Sequence, residues 1–223
     1  MKTRTSLLLA AALLASFAVA CSRQATPTPT PSPAANSASP SATATPTPTK
    51  TPALPMATNG AAIPAAVAQV VAAVTTRNAA PLLALVDYQQ VGCTTAQGAG
   101  GPPKCKPGDA AGTLYKRFPS GACEGEWAED ASSVISQIVP AVGPLYGAAM
   151  ITPPASDSEP FWPKGDTVVM FRSGRAGGSG GYFILSKDRI VRAHILCDRG
   201  AGSEESTIKS VGATSYYIAP TAP

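Results

Sequence analysis

The stretch TVVMFRSGRAGGSGGYFILSKDRIVRAHILC, residues 167–197, contains three apolar runs separated by turn-forming residues. The runs cover 167–172, 182–186 and 190–197, and they are rich in β-branched and aromatic side chains. Short apolar runs bounded by Gly, Ser or Asp are typical of antiparallel strands. The stretch therefore predicts three consecutive strands, of which the last two are joined by a tight Lys-Asp hairpin turn.

Upstream of these strands, the apolar residues follow a helical period. Four valines recur at positions i, i+3, i+4 and i+7: Val67, Val70, Val71 and Val74. This spacing places them on one face of a helix over residues 64–76, with a proline at its start.

Two further helices are predicted from their capping residues. Asn78 can cap a second helix, whose inner stripe would consist of Leu82, Leu85 and Val86. Asp130 can cap a third helix, which Pro140 should end early because proline lacks a backbone N–H. The inner stripe of this third helix would consist of Ile135, Ile138, Val139 and Val142.

Shorter apolar runs complete the predicted sheet. Residues 113–118 and 145–152 are typical of strands, and 215–218 adds a short edge strand. Residues 200–208 are polar and rich in Gly and Ser, so we expect a loop there. The result is an α+β fold, with three N-terminal helices packed on a curved antiparallel sheet of four to five strands.

This order of elements over residues 65–200 resembles the NTF2-like, or cystatin-like, cone. The resemblance implies a cavity between helices and sheet, which serves isomerases and dehydratases in some families and non-enzymatic binding or dimerisation in others. No catalytic set of these families maps onto residues of this chain. The chain departs from the cone by an insertion, CTTAQGAGGPPKC over residues 93–105, which would cover or open the cavity mouth. This insertion resembles a segment of bacterial lipoproteins, a likeness that implies no activity.

The first residues have the features of an export signal. Two basic residues precede the apolar run 7–18, and small residues lead up to Cys21. The last four of these, AVAC, resemble the bacterial lipobox, in which the cysteine receives a lipid before cleavage. We therefore expect 1–20 to be a lipoprotein signal peptide, with Cys21 anchoring the protein to the membrane on its extracytoplasmic side. The alternatives are an ordinary signal peptide or an uncleaved anchor, although the run is shorter than the roughly 20 residues that span a bilayer.

Residues 21–60 join this cysteine to the rest of the chain through a segment rich in Pro, Thr and Ser without any aromatic residue. Such a composition predicts a disordered tether, extended where Thr-Pro and Ser-Pro repeat. Of the 17 Lys and Arg residues, four precede residue 61, whereas all 13 Asp and Glu follow it. Residues 61–223 are therefore formally neutral, and the net charge of +4 gives no reason to expect nucleic-acid binding.

The segment 61–223 has the length of a single globular domain and contains four cysteines. Outside the cytoplasm an even number of cysteines favours disulfides, and three pairings are possible. We favour Cys93 with Cys105, which closes a Gly- and Pro-rich loop, and Cys123 with Cys197. A zinc site is not expected, because the chain has no CxxC pair and a single histidine.

His194 is the first candidate for acid–base chemistry, because imidazole titrates near neutrality. Alternation along the last strand places Val191, Ala193, Ile195 and Cys197 toward the helices. It places Ile190, Arg192, His194 and Leu196 on the opposite face, toward solvent or a partner. With the faces reversed, the histidine would line the cavity. The catalytic candidates are therefore weak: His194, Arg192, Tyr88, Tyr115 and Asp166.

Three other patterns have both a functional and a structural interpretation. The GGSGG run at 177–181 matches the GxSxG nucleophile motif, but a strand rather than a helix follows it, which favours a mobile loop. Glu124, Glu126, Glu129 and Asp130 suit the start of a helix better than a weak cation site. Phe161 and Trp162 suit a plug that closes the core better than an exposed anchor for a sugar or peptide.

Together these patterns predict a lipid-anchored domain of the cell envelope that binds a small molecule or an envelope protein and needs no cofactor. A non-catalytic role is favoured because no catalytic set is evident. An NTF2-like enzyme and a purely structural envelope lipoprotein are the alternatives.

Overall fold

A computed structural model describes four stretches of the chain: residues 62–122, 125–152, 161–197 and 202–221. They belong to one compact unit, Pro48–Pro223. The predicted signal peptide, the lipidated Cys21, the tether, Cys123 and Glu124 lie outside the described residues.

The described residues form four helices and eight strands. The helices are α1 (Ala65–Thr75), α2 (Ala80–Leu85), α3 (Ala131–Ala141) and α4 (Ser203–Ser210). The strands are β1 (Gln89–Gly92), β2 (Leu114–Ala122), β3 (Glu126–Ala128), β4 (Val142–Ile151), β5 (Thr167–Ser173), β6 (Gly181–Ser186), β7 (Arg189–Ile195) and β8 (Ala213–Ile218).

All eight strands belong to one mixed sheet. Its order is β1-β2-β7-β6-β5-β4-β8, and β3 pairs with β2 beside this path. The β2–β7 pair is parallel, whereas β4, β5, β6 and β7 form an antiparallel meander. The predicted α+β fold, three helices on a curved antiparallel sheet of four to five strands in an NTF2-like cone, is therefore wrong. The protein has a mixed α/β fold with four helices and a larger sheet.

The predicted sheet was too small and the fourth helix was missed because several elements are too short or too polar to give a clear sequence pattern. Strands β1 and β3 contain 4 and 3 residues, which is too short for a clear alternation of apolar and polar side chains. Helix α4, SEESTIKS, buries the side chains of only Ser203 and Ile208, so its helical period is weak and we expected a loop. The parallel pairing of β2 with β7 joins distant parts of the chain and has no local signal.

The three N-terminal helices lie where they were predicted, but Val86 and Val142, expected in the inner stripes of the second and third helices, follow the last helical residues, and Ala79 is the N-cap of α2. The four valines of α1 are 0% to 5% exposed, and the Asn78 side chain accepts a hydrogen bond from the Ala80 backbone N–H at 3.1 Å. Asp130 caps α3 through the Ser132 N–H at 2.9 Å. The expectation that Pro140 ends α3 early is wrong, because the helix includes this residue in its last turn and continues to Ala141.

The central strands also follow their predicted positions. Lys187 and Asp188, between β6 and β7, have φ values of 49° and 62°, as a two-residue hairpin turn requires. The Gly-rich run 177–181 lies between β5 and the start of β6 and joins two strands, so the GxSxG match is not a strand-to-helix nucleophile turn.

One face of the sheet packs against α1, α2 and α3. Phe118, Phe171 and Phe183 are fully buried there, in a continuous core with the inner faces of the three helices. Apolar side chains thus pack in the space where the cone cavity was expected.

The other face carries a second core, which the sequence did not predict. Ile208 of α4 is fully buried against this face, in one cluster with Met170, Tyr182 and Ile184. The expectation that this face points to solvent or a partner is therefore wrong, because α4 covers part of it.

A β-bulge in β7 changes which side chains face the helices. Leu185 pairs with Ile190 and Ile184 pairs with Arg192, so Val191 is an extra residue in the ladder. As a result Ile190 faces the helices and Val191 the second core, the reverse of the predicted alternation.

Beyond the bulge, the side chains of β7 point to the faces of the sheet that were predicted. Ala193 belongs to the helix-side core, and Arg192 and His194 pair with residues of the second core.

Candidate functional site

The insertion 93–105 forms a closed loop at the edge of the fold. The predicted disulfide between Cys93 and Cys105 is confirmed. Next to it, the Thr94 N–H donates to the Pro103 carbonyl at 2.8 Å and the Cys105 N–H to the Thr94 carbonyl at 3.0 Å. The base of the loop is thus held covalently and by backbone hydrogen bonds.

The tip of the loop is attached to β3 by Trp127. Antiparallel pairing with Pro119 of β2 holds Trp127 in place, and its indole N–H donates to the Gly101 carbonyl at 2.9 Å. Because Gly101 has a φ of 73°, the tip adopts a backbone conformation that favours glycine. The loop is therefore fixed at its base and at its tip.

Trp127 is one end of a stack of flat side chains. Its ring lies parallel to that of Trp162, with centroids 5.3 Å apart and planes 8° apart. The Arg192 guanidinium carbon lies 4.5 Å from the Trp162 ring and 5.9 Å from the Tyr182 ring, and Tyr182 stacks on His194 at 5.1 Å. We call these five side chains the aromatic stack.

Trp162 is almost fully buried, with 5% of its surface exposed, and Phe161 beside it is half-buried. A Cβ at Gly125 would lie 2.4 Å from the Trp162 ring, so a glycine is needed there. This geometry agrees with the predicted plug and not with an exposed anchor at Trp162.

A cleft of about 460 Å³ lies between the disulfide loop and the β2–β3 hairpin. We call it the loop cleft; its walls are residues 98–104, Lys106, Arg117, 125–127 and Glu129. Its volume falls within the range of small-molecule sites.

The charged side chains of the loop cleft are mostly paired with one another. Glu129 accepts from Lys106 at 3.3 Å and from Arg117 at 2.5 Å. Glu126 accepts a hydrogen bond from the Ser120 hydroxyl at 3.3 Å. Lys104 contacts the Gly100 carbonyl at 3.5 Å and pairs with no carboxylate of the described residues, so the wall has one positive charge in excess.

The residues of the predicted acidic cluster have different partners and do not form one site. Hydrogen bonds from Ser132 hold the pKa of Asp130 below its usual value, as suits a helix cap. Glu126 and Glu129 face the loop cleft instead. Within the four described stretches, no three His, Cys, Asp or Glu side chains gather as they would around a metal ion.

The two candidate tyrosines have structural partners at different places. The Tyr88 hydroxyl accepts from the Ala131 N–H at 3.1 Å, at the start of α3. The Tyr115 hydroxyl accepts from the Lys106 N–H at 2.7 Å and donates to Asp109. The structure does not bring these two side chains into one site.

Asp166 stabilises the turn between β6 and β7. Its carboxylate accepts from the Lys187 N–H at 3.1 Å and from the Thr167 hydroxyl at 3.0 Å. These contacts give Asp166 a structural role in the turn, so its position needs no catalytic explanation.

Arg192 and His194 lie together on the second face of the sheet. The Arg192 Nε and the His194 Nδ1 are buried without a hydrogen-bond partner in the part of the chain that the structure describes. Burial, together with the Arg192 charge, lowers the pKa of His194 to about 4. The imidazole is therefore neutral at pH 7 and is a poor general base.

Two residues of the loop cleft, Glu126 and Glu129, were considered only as part of a weak cation site. Trp127, Arg117 and Lys104 were not among the predicted site residues. The sequence feature that could have indicated this site is the loop itself, because a Gly- and Pro-rich segment closed by two cysteines forms a rigid surface feature.

No helix in the described part of the chain is long and apolar enough to cross a membrane. Comparison of the chain with protein-family models, curated proteins and solved structures finds no match.

Proposed function

We propose that this protein is a lipid-anchored, extracytoplasmic binding domain that holds its ligand in the loop cleft without catalysing a reaction on it. The observation that carries this proposal is the attachment of the cleft wall at both ends, by the Cys93–Cys105 disulfide and by the Trp127 indole. A wall held in this way loses little conformational entropy when a ligand binds.

The charges of the cleft support binding rather than catalysis. Glu129 is engaged by two cations, Lys106 and Arg117, and Glu126 accepts a hydrogen bond from the Ser120 hydroxyl. The catalytic candidates lie elsewhere and have structural contacts. An NTF2-like enzyme is not proposed, because the cone on which that alternative depended is not the fold.

The anchor rests on the sequence around Cys21. The Pro-, Thr- and Ser-rich composition of 21–60 predicts a tether that would hold such a domain away from the membrane. Metabolic labelling of the producing cells with an alkyne-bearing palmitate tests this part. We expect label on the wild-type chain and none on Cys21→Ser, and label on neither would contradict the anchor.

Binding in the cleft is tested by filling it. Ala99 is exposed and lines the cleft, so Ala99→Phe should occupy part of its volume. Ala111→Phe is the matched control, because Ala111 is exposed in a turn and does not line the cleft.

The measurement is native mass spectrometry of the Cys21→Ser chain secreted by its own host. We expect a non-covalent adduct on this chain and on the Ala111→Phe control, reduced roughly fivefold or more by Ala99→Phe. An adduct that Ala99→Phe leaves unchanged would contradict the cleft as the site. No adduct at all would favour a purely structural envelope protein.

A further inference from the structure

The chemistry of the loop cleft indicates what kind of ligand it takes. Trp127 is the outer member of the aromatic stack: one face packs on Trp162, and no other ring of the described residues stacks on it. Its indole N–H is engaged by Gly101. What the side chain offers to the cleft is therefore a flat apolar surface without a free polar group.

The loop wall of the cleft contains three glycines, at positions 98, 100 and 101. A Cβ at Gly98 or Gly101 would meet no atom within 4 Å. These three positions leave backbone groups of the loop uncovered by side chains, beside the side chains of Ala99 and Lys104. A flat ring has room to lie there, with carbonyl and N–H groups at its rim.

Lys104 adds a positive charge at the same place. Its ammonium contacts the Gly100 carbonyl at 3.5 Å, and no carboxylate of the described residues pairs with it. Lys106 and Arg117, by contrast, share Glu129. An anionic group of the ligand would therefore bind at Lys104 without displacing an ion pair.

We propose that the ligand of the loop cleft is a saccharide that carries an anionic substituent. This inference rests on the proposed binding function and adds the class of ligand. The C–H face of the sugar ring packs on Trp127, its hydroxyls bond to Glu126 and to the glycine-rich backbone, and its carboxylate or phosphate pairs with Lys104.

An acidic peptide is the competing ligand, since it also carries negative charge. A peptide would meet Lys104 but would leave the flat surface of Trp127 without a ring of matching shape. The apolar surface and the charge together favour the sugar.

Intrinsic fluorescence reports on this site directly, because the chain has only two tryptophans and both belong to the aromatic stack. The Cys21→Ser chain is titrated with galacturonate trimer, mannose 6-phosphate, their neutral counterparts galactose trimer and mannose, and tri-aspartate. We expect at least one anionic sugar to bind roughly fivefold or more tightly than its neutral counterpart and than tri-aspartate. Which of the two anionic sugars binds more tightly shows whether the cleft prefers a carboxylate or a phosphate.

Lys104→Gln should weaken the binding of that anionic sugar by about threefold to tenfold and leave the affinity for its neutral counterpart unchanged. Lys116→Gln removes the same charge from β2 outside the cleft, where the ammonium lies 5.4 Å from the Tyr88 ring, and should change neither affinity. Equal effects of the two substitutions would overturn the role of Lys104.

The proposal is overturned if neither anionic sugar binds more tightly than its neutral counterpart. Tight binding of tri-aspartate, abolished by Ala99→Phe, would retain the cleft as a binding site while excluding the saccharide. If no probe binds and the native adduct does not depend on Ala99, both the ligand class and the proposed function fail.

Discussion

Gly121 lies directly against the ring of His194: a Cβ at Gly121 would stand 2.0 Å from Nδ1 and 2.4 Å from Cε1. The two residues face each other across the parallel β2–β7 pair, and Tyr182, on the opposite neighbour β6, stacks on the imidazole. The missing side chain of Gly121 therefore provides the space that the imidazole occupies. The ring of His194 thus packs against Gly121 and Tyr182, and its buried Nδ1 finds no hydrogen-bond partner among the described residues.

Gly121→Ala should destabilise the fold by about 1 to 3 kcal/mol, because the new methyl group overlaps a ring that Tyr182 prevents from moving away. Denaturant unfolding followed by tryptophan fluorescence measures this loss. In the Gly121→Ala/His194→Ala double variant the overlap is absent, so the total loss should be smaller than the sum of the single losses by about 1 kcal/mol or more. Additive losses would show that the two side chains do not compete for space.

Stability should depend on pH through His194. Its pKa of about 4 in the folded protein lies below the ordinary value of 6.5, so the unfolded chain binds more protons between these values. The contribution is complete above pH 6.5 and is lost as the pH falls toward 4. Between pH 7 and pH 5 we expect the free energy of unfolding to fall by about 2 kcal/mol.

His194→Phe is the matched variant for this pH dependence, since phenylalanine keeps the stacking on Tyr182 and does not titrate. The chain has a single histidine, so no other imidazole contributes in this range. We expect the pH 5 to pH 7 slope of the unfolding free energy to be nearly flat in the variant. An unchanged slope would mean that other groups cause the acid sensitivity.

The Cys93–Cys105 disulfide should stabilise both the fold and the loop cleft. Closing a loop with a sequence separation of 12 is worth about 2 to 3 kcal/mol in the chain-entropy model. Cys93→Ala/Cys105→Ala should lower the free energy of unfolding by this amount. It should also speed cleavage by trypsin after the exposed Lys104, which peptide mass mapping detects, and equal cleavage rates would contradict a loop held by the disulfide.

The second predicted disulfide, Cys123 with Cys197, stays a prediction, because Cys123 lies outside the described residues. We expect the Cys21→Ser chain to weigh about 4 Da less before reduction than after it. In Cys93→Ala/Cys105→Ala the difference should remain at about 2 Da, and a zero difference would rule out this pairing.

Local sequence patterns were sufficient to predict many of the helices and strands. The valines of α1, the Asp130 cap of α3 and the Lys187-Asp188 turn each act within a few residues of the chain, and each was predicted from its neighbours. The disulfide of the loop was predicted for the same reason, because its two cysteines enclose one short segment.

The candidate site was less accessible from the sequence because its parts are distant in the chain. Trp127, Trp162 and Arg192 come from three separate segments, and only the folded sheet stacks them on one another. No spacing or motif relates these positions. Of the predicted catalytic residues, Tyr88, Tyr115 and Asp166 lie at separate places. Only Arg192 and His194, two positions apart on β7, are close together.

The sequence by itself determined which segments are helices and strands wherever an apolar period is long enough, and it determined the closure of the 93–105 loop. Only the tertiary structure decided the parallel contact of β2 with β7, the bulge at Val191 and the cover of α4 on the second face. The physical reason is that period and capping are local interactions, whereas sheet order and register depend on hydrogen bonds and packing between segments distant in the chain.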